Sequence, residues 1–156
     1  MDIPYILSLV TYLPALAALA LLFFPRGGDR AAKAAALLGS GITFLLSLHL
    51  VRHFDASSAG MQFETSDVWI RTASFSIDHH LGIDGISLFL VLLTTFLTPL
   101  AIACSWRSVT RRGRPFMICI LTLETGMIGV FCALDLVLFY VFWEVMLIPM
   151  YFLIGI

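Results

Sequence analysis

The residue whose type and setting could do chemistry is Glu144, the single acid in LVLFYVFWEVMLIPMYFLIGI, residues 136–156. A helix rises about 1.5 Å per residue, so this stretch is long enough to cross a hydrocarbon core about 30 Å thick. The eight residues before Glu144 then place its carboxyl near the middle of that core. An ionisable group at that depth costs roughly 2.5 to 3.5 kcal/mol on insertion scales, so it persists where it faces protein or water and has a use. Pro149, five residues on, has no amide hydrogen and crowds the Val145 carbonyl, leaving that acceptor open. An acid beside an opened backbone group at mid-membrane depth reads as part of an ion path, with Trp143 as its immediate neighbour.

A second acid, Glu124, lies in LTLETG, nine residues after Pro115 and eleven before Asp135, while Glu144 is nine after Asp135. If Asp135 marks a reversal of the chain, the two carboxyls share a depth to within about 3 Å. Facing each other, they would titrate as a coupled pair. Otherwise Glu124 is a structural acid hydrogen-bonded to Thr122, Thr125 or a neighbouring helix, and the sequence leaves both readings open. The carbonyls opened by Pro149 and Pro99, with Thr94, Thr95 and Thr98, are candidate supports for water in such a path. Asp84 and His80 stand either near its outer mouth or as caps of the helix that follows. The three cysteines, Cys104, Cys119 and Cys132, lie singly in apolar runs, with no spacing for zinc or an iron–sulfur cluster, and read as small packing residues.

The elements that must position these groups are apolar spans. Hydrophobic residues make up 60% of the 156-residue chain and charged residues only 12%, and the mean hydropathy of +1.01 excludes an ordinary soluble domain. A net charge of −1 gives no argument for nucleic acid. Five spans are expected, at about 3–24, 34–51, 81–106, 115–134 and 136–156, an all-α integral membrane architecture forming a single domain. Pro14 is expected to kink the first span and Pro99 to bend the third. Gly39, Ser40 and Gly41 are small enough for close helix approach in the second. Asp135 is expected to cap the fifth after a tight reversal at Ala133–Asp135. The loop 52–80 is the one long polar connection, and the alternation from Trp69 to Ile77 suggests strand structure on the membrane surface. Seven of the nine basic residues fall in the connections 25–33 and 107–114, which the positive-inside rule makes cytoplasmic, with the N-terminus and loop 52–80 outside. The apolar run still continues at Ile156 without a terminator, as expected of an N-terminal piece of something longer.

Two segments, HLGIDGISLFLVLLTTFLTPLAI and ALDLVLFYVFWEVMLIPMYFLIGI, carry a resemblance to the antiporter-like membrane subunits of proton-translocating NADH:quinone oxidoreductase, respiratory complex I. It is to the chain M family, counterpart of mitochondrial subunit 4, that the chain is similar, in the N-terminal part. The Trp143-Glu144 pair with Pro149 and the GIDGIS segment at 82–87 are the most specific motifs. The resemblance implies the N-terminal part of a larger antiporter-like helical bundle that contributes to proton translocation coupled to electron transfer from NADH to quinone. It also implies that Glu144 is the essential acid, paired with a lysine on a later helix. The only lysine here is Lys33, expected in a loop. No cofactor is expected in this chain, since NADH, FMN, iron–sulfur clusters and quinone would belong to partner subunits. Expected partners are the other complex I membrane subunits, including neighbouring antiporter-like chains, and the lipid bilayer, and the expected location is the bacterial cell inner membrane. A subunit of a multisubunit cation/proton antiporter and a non-pumping scaffold remain alternatives.

Overall fold

The computed structural model describes residues 5–25, 28–58, 60–71, 76–110 and 112–155. In chain order these form α1 (Ile6–Leu22), α2 (Asp29–His53), β1 (Gln62–Arg71), β2 (Ser76–Ile83), α3 (Gly85–Ser108), α4 (Gly113–Cys132) and α5 (Leu136–Gly155). Four helices, α2 to α5, are long and apolar enough to cross a membrane, whereas α1, with 17 residues, is shorter. The architecture is therefore mostly helical, in keeping with the all-α membrane expectation, with a small two-stranded antiparallel sheet beside the helices.

The strand structure expected in the loop 52–80 is present as a hairpin, and it is longer than the alternation at 69–77, whose middle, 72–75, lies outside the described residues. Strand β2 pairs Leu81 with Thr65, His80 with Ser66 and His79 with Asp67, then continues to Ile83, so the first three residues of the expected third span are strand. What stops the helix from starting earlier is Asp84. Its carboxylate oxygen accepts the Ser87 amide at 2.7 Å, an N-cap that begins α3 at Gly85. Leu81 and Ile83 are fully buried beside it.

Helix α2 begins at Asp29, five residues before the expected Ala34, because the lead-in is rich in helix-forming alanine and an acid in the first turn suits the helix dipole. Lys33 is thereby corrected from a loop residue to a buried residue of α2. Its ammonium donates to the Trp106 carbonyl at 2.9 Å and the Val109 carbonyl at 2.6 Å, which finishes α3. Asp29 in turn accepts the Gly113 and Arg114 amides at 3.3 and 3.2 Å, capping α4, and Arg114 donates to the Phe24 carbonyl just beyond α1. Three charged side chains thus tie together the ends of all four of the first helices.

At the other end, Asp135 accepts the Val137 and Leu138 amides at 2.9 and 3.0 Å and starts α5 as expected. The reversal before it is stitched to the hairpin, with Leu134 donating to the His80 carbonyl at 2.9 Å and Leu81 bridging Ala133. Gly82 makes room for this, since a Cβ there would stand 2.7 Å from the Leu134 side chain. The GIDGIS segment is thus a joint in which the glycine admits Leu134, Ile83 fills the core and Asp84 opens α3.

Helix α4 sits at the centre, packed against α1, α2, α3 and α5. Glycines set its closest approach. At Gly126 and Gly129 an added Cβ would collide with Met146 and with the Phe142 ring of α5, and at Gly39 one would stand 2.9 Å from Ala17 of α1. Gly41, by contrast, faces open space. Helices α1, α3 and α5 run unbroken through Pro14, Pro99 and Pro149. One apolar cluster, including Leu7, Leu81 and Phe142, fills the hairpin end, and a second, including Leu21, Met117 and Leu121, fills the opposite end.

Two outcomes follow. Gly129→Ala is expected to lower the stability of the purified full-length subunit by about 1 to 3 kcal/mol, the scale of overpacking, while Gly41→Ala is neutral or stabilising by up to about 1 kcal/mol. Thermal unfolding in detergent measures both. The Ser87 amide bonded to Asp84 holds that carboxyl below its ordinary range. A lowered folded-state value means the cap contributes fully above the unfolded value of about 3.9 and weakens as the pH falls through the folded one. Asp84→Ala is therefore expected to cost about 1 kcal/mol at neutral pH and to abolish this component of acid sensitivity, read from melting temperature against pH.

Candidate functional site

Burial divides α5 into two faces. Leu138, Phe142 and Pro149 turn toward α4 and are buried. Glu144 lies about 200° around the helix from Phe142, at 100° per residue, and is exposed on the face that no other described element covers. Its surroundings on that face are Trp143, 47% exposed, Tyr140 one turn earlier and Leu147 and Ile148 one turn later. The Tyr140 hydroxyl is within hydrogen-bonding reach of the Glu144 carboxylate. Pro149 keeps the Val145 carbonyl without a helical amide donor, and Val145 stands on the flank between the two faces.

Glu124 occupies the opposite setting. It is the twelfth residue of the 20-residue α4 and has 0% exposure. Gly126 and Gly129 aim at α5, and Glu124, about 200° around from Gly126, points away from it into the bundle. Both of its carboxyl oxygens and the neighbouring Thr125 hydroxyl are buried without a hydrogen-bond partner. The two acids are thus matched in depth by the Asp135 reversal but do not face one another, and the coupled pair does not form.

The remaining candidates are distributed over three places. Thr94 and Thr98 line a cavity of about 550 Å³ between α3 and α4, closed at one side by Leu153. Their hydroxyls donate to Leu90 and Thr94 carbonyls of their own helix, at 2.9 and 3.0 Å. Thr95 turns instead to α2, where its hydroxyl meets that of Ser47 at 2.8 Å. Pro99 follows this threonine cluster, four residues after Thr95. Asp84 and His80 belong to the hairpin end: Asp84 caps α3, and His80 meets Glu64 at 3.3 Å across the hairpin.

One grouping was not legible from spacing. The Tyr12 hydroxyl of α1 and the His79 ring of β2 are hydrogen-bonded at 2.7 Å and stacked, 67 residues apart in sequence. Both line a cleft of about 510 Å³ between α1, α5 and the hairpin, which Thr125 of α4 lines as well. Among the described residues no three histidine, cysteine or acidic side chains gather as a metal site.

Residues 58–130 match the family model described as the amino terminus of NADH-ubiquinone oxidoreductase chain 4. The chain is 49% identical over 155 residues to NADH-quinone oxidoreductase subunit M of Rhodobacter capsulatus, covering 97% of this chain and 29% of that protein. It is 47% identical over 143 residues to NADH-ubiquinone oxidoreductase chain 4 of Arabidopsis thaliana, covering 92% of this chain and 28% of that protein. Subunit M of Rickettsia typhi is 36% identical over 157 residues, covering 97% of this chain and 31% of that protein. The chain thus spans about three tenths of the length of the curated relatives it matches. By sequence, the chain belongs to the family of NADH-quinone oxidoreductase subunit M and NADH-ubiquinone oxidoreductase chain 4, matching the amino-terminal part of its members.

Proposed function

We propose that this chain acts within the membrane arm of an NADH–quinone oxidoreductase and contributes there to proton translocation, with Glu144 as the acid that takes up and releases the proton. The observation that carries this reading is the placement of Glu144 midway along an apolar helix, on a face that the described elements leave uncovered. An unpaired carboxylate in hydrocarbon is costly, and a cation brought beside it offsets that cost. A positive side chain brought within about 4 to 6 Å favours the ionised form by about 1 to 3 pH units, or up to about 4 kcal/mol. Moving one charge against 100 mV costs about 2.3 kcal/mol, so approach and withdrawal of one cation is of the size needed to drive a proton across an energised membrane. Such a cation would come from an element that docks on the outer face of α5, as the lysine on a later helix implied by the family resemblance would. Trp143 and Tyr140 would flank that contact, Tyr140 as a hydrogen-bond partner that holds the carboxyl in place.

In this reading α1 is a fifth span, the N-terminus and hairpin lie outside, and the basic end with Lys33, Arg107 and Arg114 lies in the cytoplasm of a bacterial cell. The redox chemistry of NADH, FMN, iron–sulfur clusters and quinone belongs to partner subunits, and this chain supplies a proton site and a packing surface for neighbouring antiporter-like chains. Pro149 and Pro99, with Thr94, Thr95 and Thr98, are the places where a water file would find backbone and hydroxyl acceptors.

Glu144→Gln in the intact complex is expected to lower proton translocation by about 100-fold or more, the scale of a lost proton-transfer group, while the complex still assembles. Proton uptake by membrane vesicles, alongside native-gel assembly, measures it. Normal pumping in an assembled variant would leave the chain a scaffold.

A further inference from the structure

We propose that Glu124, together with Thr125, is a second proton-binding site, enclosed within this chain's own helices and reached by water from the hairpin end through the cleft between α1, α5 and the hairpin. The site stands on orphaned polar atoms. Both Glu124 oxygens and the Thr125 hydroxyl are fully enclosed and unpartnered, and a bare carboxylate so placed would be far costlier than the neutral acid.

No charge packed against α4 offsets it. Asp29, Arg30 and Lys33 lie at one end of α2 and His49, Arg52 and His53 at the other. Arg107 lies at the end of α3, and Glu144 of α5 points outward. The titratable groups of α1, α5 and β2 that remain are Tyr12, bonded to His79, Tyr140 and Tyr151, both exposed, and at the hairpin end Asp78 and His80, the latter meeting Glu64. Glu124 therefore holds a proton.

The cleft supplies the route. It is lined by Tyr12, Ala15, His79, Thr125, Val141 and Val145, among others, and its volume of about 510 Å³ exceeds that of several water molecules, each about 30 Å³. A buried water needs two to four polar partners. Along the cleft the Tyr12 hydroxyl, the His79 ring and the Asp67 carboxylate offer such partners, and Thr125, which lines the cleft with its hydroxyl enclosed, connects it to Glu124, next along α4. A hydroxyl both donates and accepts, so once rotation of the Thr125 side chain turns it to the cleft it can accept from a water there and pass hydrogen bonding on toward Glu124. Proton exchange is then a hop along hydrogen bonds: the carboxyl O–H bond breaks as the adjacent water gains a proton, and another proton returns to the carboxylate, with no net oxidation. The Tyr12–His79 pair lines the same cleft from the hairpin side.

The test is infrared difference spectroscopy of the assembled complex in membranes, following protonated-carboxyl C=O absorption as H₂O is replaced by D₂O. The wild type is expected to show a band that shifts in D₂O, is missing in Glu124→Gln and persists in Glu144→Gln, which separates this proposal from the role of Glu144. Glu124→Asp, which keeps an acid, moves the band and serves if the glutamine variant does not assemble. Ala15→Phe, which fills the cleft, and Thr125→Val, which removes the hydroxyl, are each expected to slow the shift at least about tenfold, equivalent to about 1.4 kcal/mol on the exchange barrier. A wild type with no band assignable to Glu124 would overturn the proposal, because the acid would then be ionised and paired. A band that never shifts, or one whose shift is equally fast in the two cleft variants, would overturn it as well.

Discussion

In hydrocarbon there is no water to satisfy the backbone groups that every helix leaves open at its two ends, and this constraint shapes the molecule. The chain answers it with side chains that reach across from neighbouring helices. Asp29 serves α4, Lys33 serves α3, and Arg114 serves the chain leaving α1. The charges that would be costly within a span are placed where they can close an open end. These residues hold the bundle together at that end, so the packing of four helices rests on one small set of side chains.

Helix α4 shows how packing and chemistry are divided on a single element. Its face toward α5 is stripped to glycine so that Phe142 and Met146 can lie against the backbone. Its other face carries Glu124 and Thr125 inward. Helix α5 inverts the arrangement: its bulky residues meet α4, and its acid is turned away from the bundle. One carboxyl is enclosed by the chain itself and the other is presented for something else to meet.

Much of this was legible because it follows from local rules. Apolar run lengths located the helices, and the isolated acids and prolines in them located the groups of interest. Asp135 was readable as a cap because an acid interrupting a 42-residue apolar run has few other uses. What escaped depends on contacts between distant parts of the chain. The hairpin register makes Leu81 and Ile83 strand despite their apolar character, since they fill a core built by α1, α4 and α5. Lys33 looked like a loop residue because nothing nearby in sequence reveals that the α3 carbonyls await it. The facing of Glu124 and Glu144 was undecidable for the same reason: depth follows from counting residues, but direction follows from which neighbours pack against each side. The Tyr12–His79 pair left no trace in spacing at all.

The bond from Leu134 to the His80 carbonyl fastens the α4–α5 turn to a strand that is itself locked to its partner. Helix α5 hangs from that point like a plumb line, with Asp135 as its datum and Glu144 nine residues down. Axial slippage of α5 would have to tear this fastening first, so the position of the acid along the bundle is set from the sheet and not by the greasy surface of the helix.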